Sequence, residues 1–200
     1  MPAWLPNLIS ISRLAFLPVY LVMARETGLA HAAGDARGEF QGRLFCVAVL
    51  VLIWLSDLLD GFVARRFDLT SKAGAILDAI VDKLVQLSLV AYLALDHGDV
   101  FPRMPLWFAA SVFGRDLVIL YGSLRVRQLR GGIDPSHRFH GRLSTGCVLA
   151  AILATTMDAP VSWLTPLFLC GALSSLISVI GYIQVGREQV RCLDGTQGRK

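Results

Sequence analysis

Long apolar stretches, several of them the length of a membrane span, constrain this chain more than any other feature. A helix that crosses the hydrocarbon core needs about 20 mostly apolar residues. Hydrophobic residues make up 54% of the 200-residue sequence and charged residues 17%, an apolar balance that is unusual for a soluble domain. Because backbone polar groups in lipid must be satisfied within each helix, we expect an all-α bundle of membrane helices.

The hydropathy pattern predicts six spans. The first runs to about Met23 and is interpreted as an uncleaved helix, with Trp4 and Arg13 at the membrane interface. The polar, glycine-rich stretch 25–42 predicts a loop, and the polar stretch 125–140 predicts a second break. The other predicted spans are 43–64, 74–95, 105–124, 141–157 and 161–185.

Basic residues predict the orientation of these spans. They cluster at 65–72, 125–142 and 187–200, which all fall on one side of a six-span protein. Basic clusters beside spans mark the cytoplasmic side, so both termini are predicted to be cytoplasmic. The chain lacks the soluble basic face of a nucleic-acid-binding protein. With no internal repeat or low-complexity linker, residues 1–200 are interpreted as one domain.

Four aspartates interrupt the apolar pattern where the second predicted span ends and the third begins. Asp57 and Asp60 are three residues apart, which puts both on one face of a helix. Asp78 and Asp82, four residues apart, share a face in the same way. A connection of about eight residues predicts that the two spans are antiparallel neighbours. Since converging carboxylates repel each other unless a cation neutralises them, the pattern favours a Mg²⁺ site over helix capping.

Small residues lie between the two aspartate pairs. Gly61 and Ala64 follow Asp57 on one helical face, and Gly74 precedes Asp78 by four residues. Such residues either leave room for a ligand or let helices pack closely. Arg65 follows directly, and its guanidinium could bind a diphosphate.

These residues together form the pattern D-x2-D-G-x2-A-R-x8-G-x3-D-x3-D across residues 57–82. The pattern resembles the signature of the CDP-alcohol phosphatidyltransferases, and it matches at all eight fixed positions. The resemblance implies a six-helix membrane enzyme, often a homodimer, with its active site open to the cytoplasm. It also implies CDP-diacylglycerol as the donor.

The resemblance assigns roles to the residues of the pattern. The four aspartates would hold one or two Mg²⁺ or Mn²⁺ ions. Asp82 would act chiefly as the general base that deprotonates the acceptor hydroxyl. Asp78 would also contact the CDP-lipid, together with the remaining residues of the pattern: Gly61, Ala64, Arg65 and Gly74.

Three further segments resemble members of the family that make phosphatidylglycerophosphate or cardiolipin. They are PNLISISR at the N-terminus, LDAIVDKL around Lys83, and FGRDLVILYG with Arg115. Glycerol 3-phosphate is therefore the first candidate acceptor, and phosphatidylglycerol, giving cardiolipin, is the alternative. Inositol phosphate is less favoured because Lys83 stands where arginine is expected in those relatives. Another CDP-alcohol phosphotransferase activity stays open.

Arginines at the cytoplasmic ends of the fourth and fifth predicted spans are candidate ligands of an acceptor phosphate. We hypothesise that Arg115 and Arg142, together with Arg138, bind this phosphate, because an arginine fork suits phosphate geometry. The alternative is that they anchor the helices at the membrane interface.

Other classes of membrane protein also carry intramembrane aspartates. A transporter or ion channel with Asp sites would be expected to show broken helices or inverted repeats, which the sequence lacks. A membrane prenyltransferase would be expected to have more spans and a different Asp spacing. CMP release from CDP-diacylglycerol separates these classes.

Overall fold

The computed structural model describes residues 5–66, 72–96, 100–130 and 138–197, and within these ranges the chain is helical with no strand. The all-α prediction is confirmed for these ranges. The helices are α1 (Leu5–Ala32), α2 (Ala36–Arg66), α3 (Lys72–Leu95), α4 (Leu106–Arg130), α5 (Arg138–Thr156) and α6 (Val161–Gln197). Within them, the side chains that lie outside the description are those of 5–11, 58, 60–66, 72–73, 75–76, 123–130, 138–143 and 185–197.

The described chain forms two compact units. The first comprises the described parts of Met1–Met104 together with Ile152–Val161. The second comprises those of Pro105–Ala151 and Ser162–Lys200. The first unit therefore contains α1, α2 and α3, and the second contains α4 with most of α5 and α6.

The predicted loop at 25–42 is wrong, because α1 and α2 form a helical hairpin with a turn of three residues between them. Gly34 adopts a φ of 71° in this turn, a left-handed conformation that glycine enters at little cost. Asp35 then begins α2: its carbonyl accepts from Glu39 N at 2.9 Å, and its Oδ1 accepts from Gly38 N at 3.0 Å. The polar composition of this stretch suggested a loop. Instead, Asp35 caps the start of α2, and His31 of α1 pairs with Glu39 of α2 across the turn.

The hairpin has a definite register. Gly42 of α2 packs against Thr27 of α1 so closely that a Cβ at Gly42 would lie 3.0 Å from Thr27 Cβ. Further from the turn, Arg13 of α1 meets Asp57 of α2. Both pairs are nearly equidistant from the turn at Gly34, as expected for antiparallel helices packed along their whole length.

The first unit is held by buried stripes that run along its helices. On α2 the stripe contains Cys46, Leu50 and Ile53, each at most 5% exposed. Spacings of three and four residues keep these side chains on one helix face. Asp57 follows Ile53 by four residues and so continues the stripe. On α3, Asp78 and Asp82 stand at the start of a stripe that continues through Val81, Val85, Leu89 and Leu93.

The second unit packs through aromatic and small residues. Phe108 of α4 lies against Phe168 of α6 with ring centroids 5.0 Å apart. Gly171 gives Phe108 room, since a Cβ there would be 2.8 Å from its ring. Gly122 meets Tyr182 in the same way further along both helices. On both helices the second contact lies closer to the C-terminus than the first, so α4 and α6 run parallel.

Two segments of the described chain are long and apolar enough to cross a membrane, Ala36–Asp57 and Val161–Gln184. Each has 22% of its most apolar window buried in the protein. Large apolar side chains accordingly face outward from these helices, among them Leu52, Leu55, Leu173, Leu176 and Ile180. The prediction of six spans with cytoplasmic termini stays a prediction.

Arg43 connects several segments at one end of the first unit. Along α2 it lies about 21 Å from Asp57, at a rise of 1.5 Å per residue. Its guanidinium pairs with Glu39 at 2.8 Å and with Asp158 at 3.1 Å. It also donates to the Val100 carbonyl at 2.7 Å and lies 5.7 Å from the ring centroid of Phe101. One side chain therefore connects α2 to the segments that follow α3 and α5.

We expect Arg43→Ala to lower the free energy of unfolding by about 1–3 kcal/mol, because it removes charge-assisted hydrogen bonds that are partly shielded from water. Thermal denaturation of the purified protein in detergent measures this loss. The control is Arg37→Ala, an exposed arginine on the same helix, which should change stability by less than about 0.5 kcal/mol. Equal melting temperatures for the two variants would contradict this role of Arg43.

Candidate metal centre

Three of the four predicted metal ligands converge in the first unit. Asp57 comes from α2, and Asp78 and Asp82 come from α3. Each offers one carboxylate oxygen, and these oxygens all lie within 4.8 Å of one another. The spacing argument made from the sequence is thus confirmed for these three residues. The side chain of Asp60 lies outside the described residues.

The carboxylates lie at the accessible end of the buried stripes. The Asp57 side chain is 51% exposed, and those of Asp78 and Asp82 are each 38% exposed. Apolar residues of the same stripes, such as Leu50 and Leu89, are at most 1% exposed. A ligand arriving from outside this unit can therefore reach the carboxylates.

Arg13 lies on the buried side of the three carboxylates. Its side chain is 1% exposed, so within this unit it packs against protein, and its predicted depth at the membrane interface stays a prediction. Its Nη1 donates to Asp57 Oδ1 at 3.0 Å and also to Asp82 Oδ1, while Nη2 donates to Asp78 Oδ1. Arg13 therefore bonds carboxylates from two helices besides its own.

Sequence reasoning missed this role of Arg13, although two signals were present. A charge within an apolar helix needs a partner, which was argued for the aspartates but not for the arginine. Arg13 also precedes Tyr20 by seven residues, so both lie on the buried face of α1. The hairpin register then places it opposite Asp57, but that register became visible only once the turn at Gly34 was known.

The three carboxylates fit a small divalent cation. Oxygens bound to one Mg²⁺ lie up to about 4.2 Å apart, given bonds of about 2.1 Å, so modest side-chain rotation from a spacing within 4.8 Å suffices. The charges fit as well. Among these described side chains, three ionised carboxylates face the one positive charge of Arg13, so the cluster keeps a net negative charge that attracts a divalent cation. All-oxygen ligands favour Mg²⁺ or Mn²⁺.

The predicted ligands of the CDP-lipid are described only in part. Gly74 lies on α3, four residues before Asp78, as the spacing predicted. The other three lie on α2, with side chains outside the described residues: Gly61, Ala64 and Arg65. Their proposed contacts with the nucleotide and the diphosphate stay predictions.

Among the predicted acceptor ligands, Arg115 belongs to the second unit and is 3% exposed. Its Nε donates to Asp116 Oδ1 at 2.9 Å, and its Nη1 donates to Ser144 Oγ. Ser144 Oγ in turn lies 3.0 Å from Ser175 Oγ. Arg115 therefore belongs to a buried polar cluster that joins α4, α5 and α6.

The other two predicted acceptor ligands, Arg138 and Arg142, lie on α5, with side chains outside the described residues. Their contacts with an acceptor stay predictions.

Comparison with known proteins finds relatives named as cardiolipin synthases and as a phosphatidyltransferase. Rat cardiolipin synthase (CMP-forming) is 27% identical over 97% of this chain and 65% of its own length. A putative cardiolipin synthase of Mycobacterium tuberculosis is 35% identical over 63% of this chain and 51% of its own. A CDP-diacylglycerol–glycerol-3-phosphate 3-phosphatidyltransferase of Pseudomonas fluorescens is 28% identical over 58% of this chain and 52% of its own.

The chain thus spans between about half and two thirds of the length of these three relatives. The family described as CDP-alcohol phosphatidyltransferase matches residues 3–183 and so includes the whole aspartate pattern. The resemblance found in the sequence is confirmed, and this chain belongs to the CDP-alcohol phosphatidyltransferase family.

Proposed function

We propose that this protein is a membrane enzyme that transfers a phosphatidyl group from CDP-diacylglycerol to an alcohol and releases CMP. The observation that carries the proposal is the convergence of Asp57, Asp78 and Asp82, with ligand oxygens within 4.8 Å of one another, inside the family pattern. In this reaction the acceptor oxygen forms a bond to the phosphorus that carries diacylglycerol. The bond from that phosphorus to CMP breaks, and CMP leaves with the electron pair.

The carboxylates would divide the work of this reaction. Asp57, Asp60 and Asp78 would hold one or two Mg²⁺ or Mn²⁺ ions beside the diphosphate, and Asp82 would also contact an ion. Bound there, a divalent ion supplies stabilisation of negative charge on the phosphoryl oxygens and on departing CMP. Asp82 would accept the proton of the acceptor hydroxyl, as a carboxylate within hydrogen-bond reach can. Positioning and electrostatics carry most of the catalysis in phosphoryl transfer.

The first candidate acceptor is glycerol 3-phosphate, which would give phosphatidylglycerophosphate. The N-terminal PNLISISR segment and the α4 segment around Arg115 support it, as does the name of the Pseudomonas relative. Phosphatidylglycerol, giving cardiolipin, is the second candidate, supported by the names of the rat and mycobacterial relatives. Both acceptors carry a glycerol hydroxyl near a phosphate, so both suit a site with arginine.

The membrane setting follows from the substrates. The acyl chains of the donor would stay in lipid beside the outward-facing apolar side chains of α2. The headgroup would react at the ends of α2 and α3, where the carboxylates are exposed. We further propose six spans, both termini and the active site on the cytoplasmic side, and assembly as a homodimer.

Asp82→Asn should lower the rate of CMP release by about 100-fold or more, the order of magnitude that a general base contributes. Asp57→Asn and Asp78→Asn should also lower it strongly, because each removes a charged metal ligand. The assay is release of labelled CMP from CDP-diacylglycerol by the purified protein. The control is Asp96→Asn, an exposed carboxylate directly after the same helix as Asp82. Retained CMP release in the site variants would refute the assignment.

Removal of divalent cations should abolish CMP release, because three carboxylates and one arginine carry a net negative charge that repels the anionic diphosphate. Treatment with EDTA followed by dialysis tests this in the same assay. Added Mn²⁺ or Mg²⁺ should restore the rate, whereas K⁺ at equal ionic strength should not. Full activity in the presence of excess EDTA would contradict a metal-dependent mechanism.

An acceptor panel should give phosphatidylglycerophosphate from glycerol 3-phosphate, with cardiolipin from phosphatidylglycerol as the competing result. Arg115→Gln should raise KM for the phosphorylated acceptor about tenfold or more, since a charged hydrogen bond contributes about 1.5–3 kcal/mol. KM for CDP-diacylglycerol should not change. The control is Ser175→Ala, which removes a hydroxyl from the same buried cluster without changing charge. An unchanged acceptor KM in Arg115→Gln, or an equal rise in Ser175→Ala, would exclude phosphate binding by Arg115.

A further inference from the structure

Arg13 and the three carboxylates differ sharply in exposure. The arginine side chain is 1% exposed, whereas those of Asp57 and Asp78 are 51% and 38% exposed. An ion or a lipid headgroup that approaches from outside this unit therefore meets the carboxylates first. Arg13 lies behind them, so it is poorly placed to bind the substrate directly.

The contacts of Arg13 use the shape of the guanidinium. One terminal nitrogen donates both to Asp57 on α2 and to Asp82 on α3, and the other donates to Asp78. In each case the acceptor is Oδ1 of the carboxylate. A planar group with donors in a fixed fork can fix several carboxylates relative to one another. A lysine ammonium also carries three donors, but they radiate from a single point on a flexible stem and do not fix the spacing of the acceptors as the planar fork does.

Three carboxylates drawn to within 4.8 Å repel each other. With the three ionised, Arg13 offsets one of their charges and leaves two. The guanidinium therefore brings the carboxylates together without neutralising them, and the remaining charge still attracts a divalent cation.

We propose that Arg13 is a positioning residue of the metal centre, which holds Asp57, Asp78 and Asp82 in the arrangement that binds the divalent cation. The inference rests on the proposed function, because it takes these carboxylates to be metal ligands. Hydrogen-bonding partners that orient metal ligands typically contribute about 10- to 100-fold to metal affinity. Arg13 acts on the metal through the carboxylates, since it has no lone pair to offer an ion.

Arg13→Lys separates positioning from charge. The variant keeps the positive charge, so the long-range attraction between the cluster and a cation is unchanged. It loses the planar guanidinium, so the three carboxylates are no longer fixed relative to one another. We expect the dissociation constant for Mn²⁺ to rise about tenfold, and CMP release to recover when Mn²⁺ is raised in proportion.

The measurement is a Mn²⁺ titration of the full-length protein in lipid nanodiscs, followed by the loss of the free Mn²⁺ signal in electron paramagnetic resonance. The matched control is Arg25→Lys, an exposed arginine on the same helix, which should bind Mn²⁺ as the unaltered protein does. If Arg13→Lys does not fold, Arg13→Gln takes its place. That variant removes a positive charge, which alone would tighten binding, so weaker binding would support positioning all the more.

The outcomes distinguish this inference from the proposed function. Weaker Mn²⁺ binding by the folded Arg13 variant, with normal binding by Arg25→Lys, supports positioning. Mn²⁺ binding by the Arg13 variant that is unchanged within about twofold, or tighter, overturns it while the metal-dependent transfer stands. No Mn²⁺ binding by the unaltered protein overturns the metal centre itself and the inference with it.

Discussion

Burying the guanidinium of Arg13 costs several kcal/mol unless opposite charges and hydrogen bonds replace its lost water. Asp57 on α2 and the two aspartates of α3 replace that water. The contacts that stabilise the buried charge are thus the same contacts that gather the proposed metal ligands. A change on either side leaves an uncompensated charge on the other, so stability of the first unit and geometry of its metal centre depend on each other.

Features far from the carboxylates set this arrangement. The turn at Gly34 fixes how α1 folds back on α2, and the contact between Thr27 and Gly42 fixes their spacing. Arg43 connects the far end of the same unit. With that end fixed, the regular 3.6-residue repeat of two packed helices brings Arg13 opposite Asp57. The chemistry at one end of the hairpin therefore depends on packing along its whole length.

The local part of the site could be predicted from the sequence, whereas its long-range part could not. Asp78 and Asp82 are four residues apart, and helical periodicity alone puts them on one face. Arg13 is 44 residues from Asp57, and nothing in either local segment indicates that they meet.

The helical hairpin around Gly34 was also not predicted from the sequence. Residues 25–42 are polar, which suggests a loop, but the pair Glu39 and Arg43 stabilises a helix there.

Arginines bind phosphate in many settings, so the contacts around an arginine decide whether it is available to an acceptor. Arg115 illustrates this, since it is already bonded to Asp116 and Ser144 within its own unit. A phosphate there would have to join or rearrange an existing buried cluster. The residues proposed to bind the donor, in contrast, lie in one short pattern within the segment that matches the family.

Anomalous scattering of manganese from crystals of the protein grown with Mn²⁺ would locate the ion. We expect an anomalous peak at about 2.0–2.3 Å from carboxylate oxygens of Asp57, Asp78 and Asp82. We also expect Arg13 to stay on the buried side of those carboxylates. A peak elsewhere, or an Arg13 side chain displaced from the carboxylates by the ion, would contradict this arrangement.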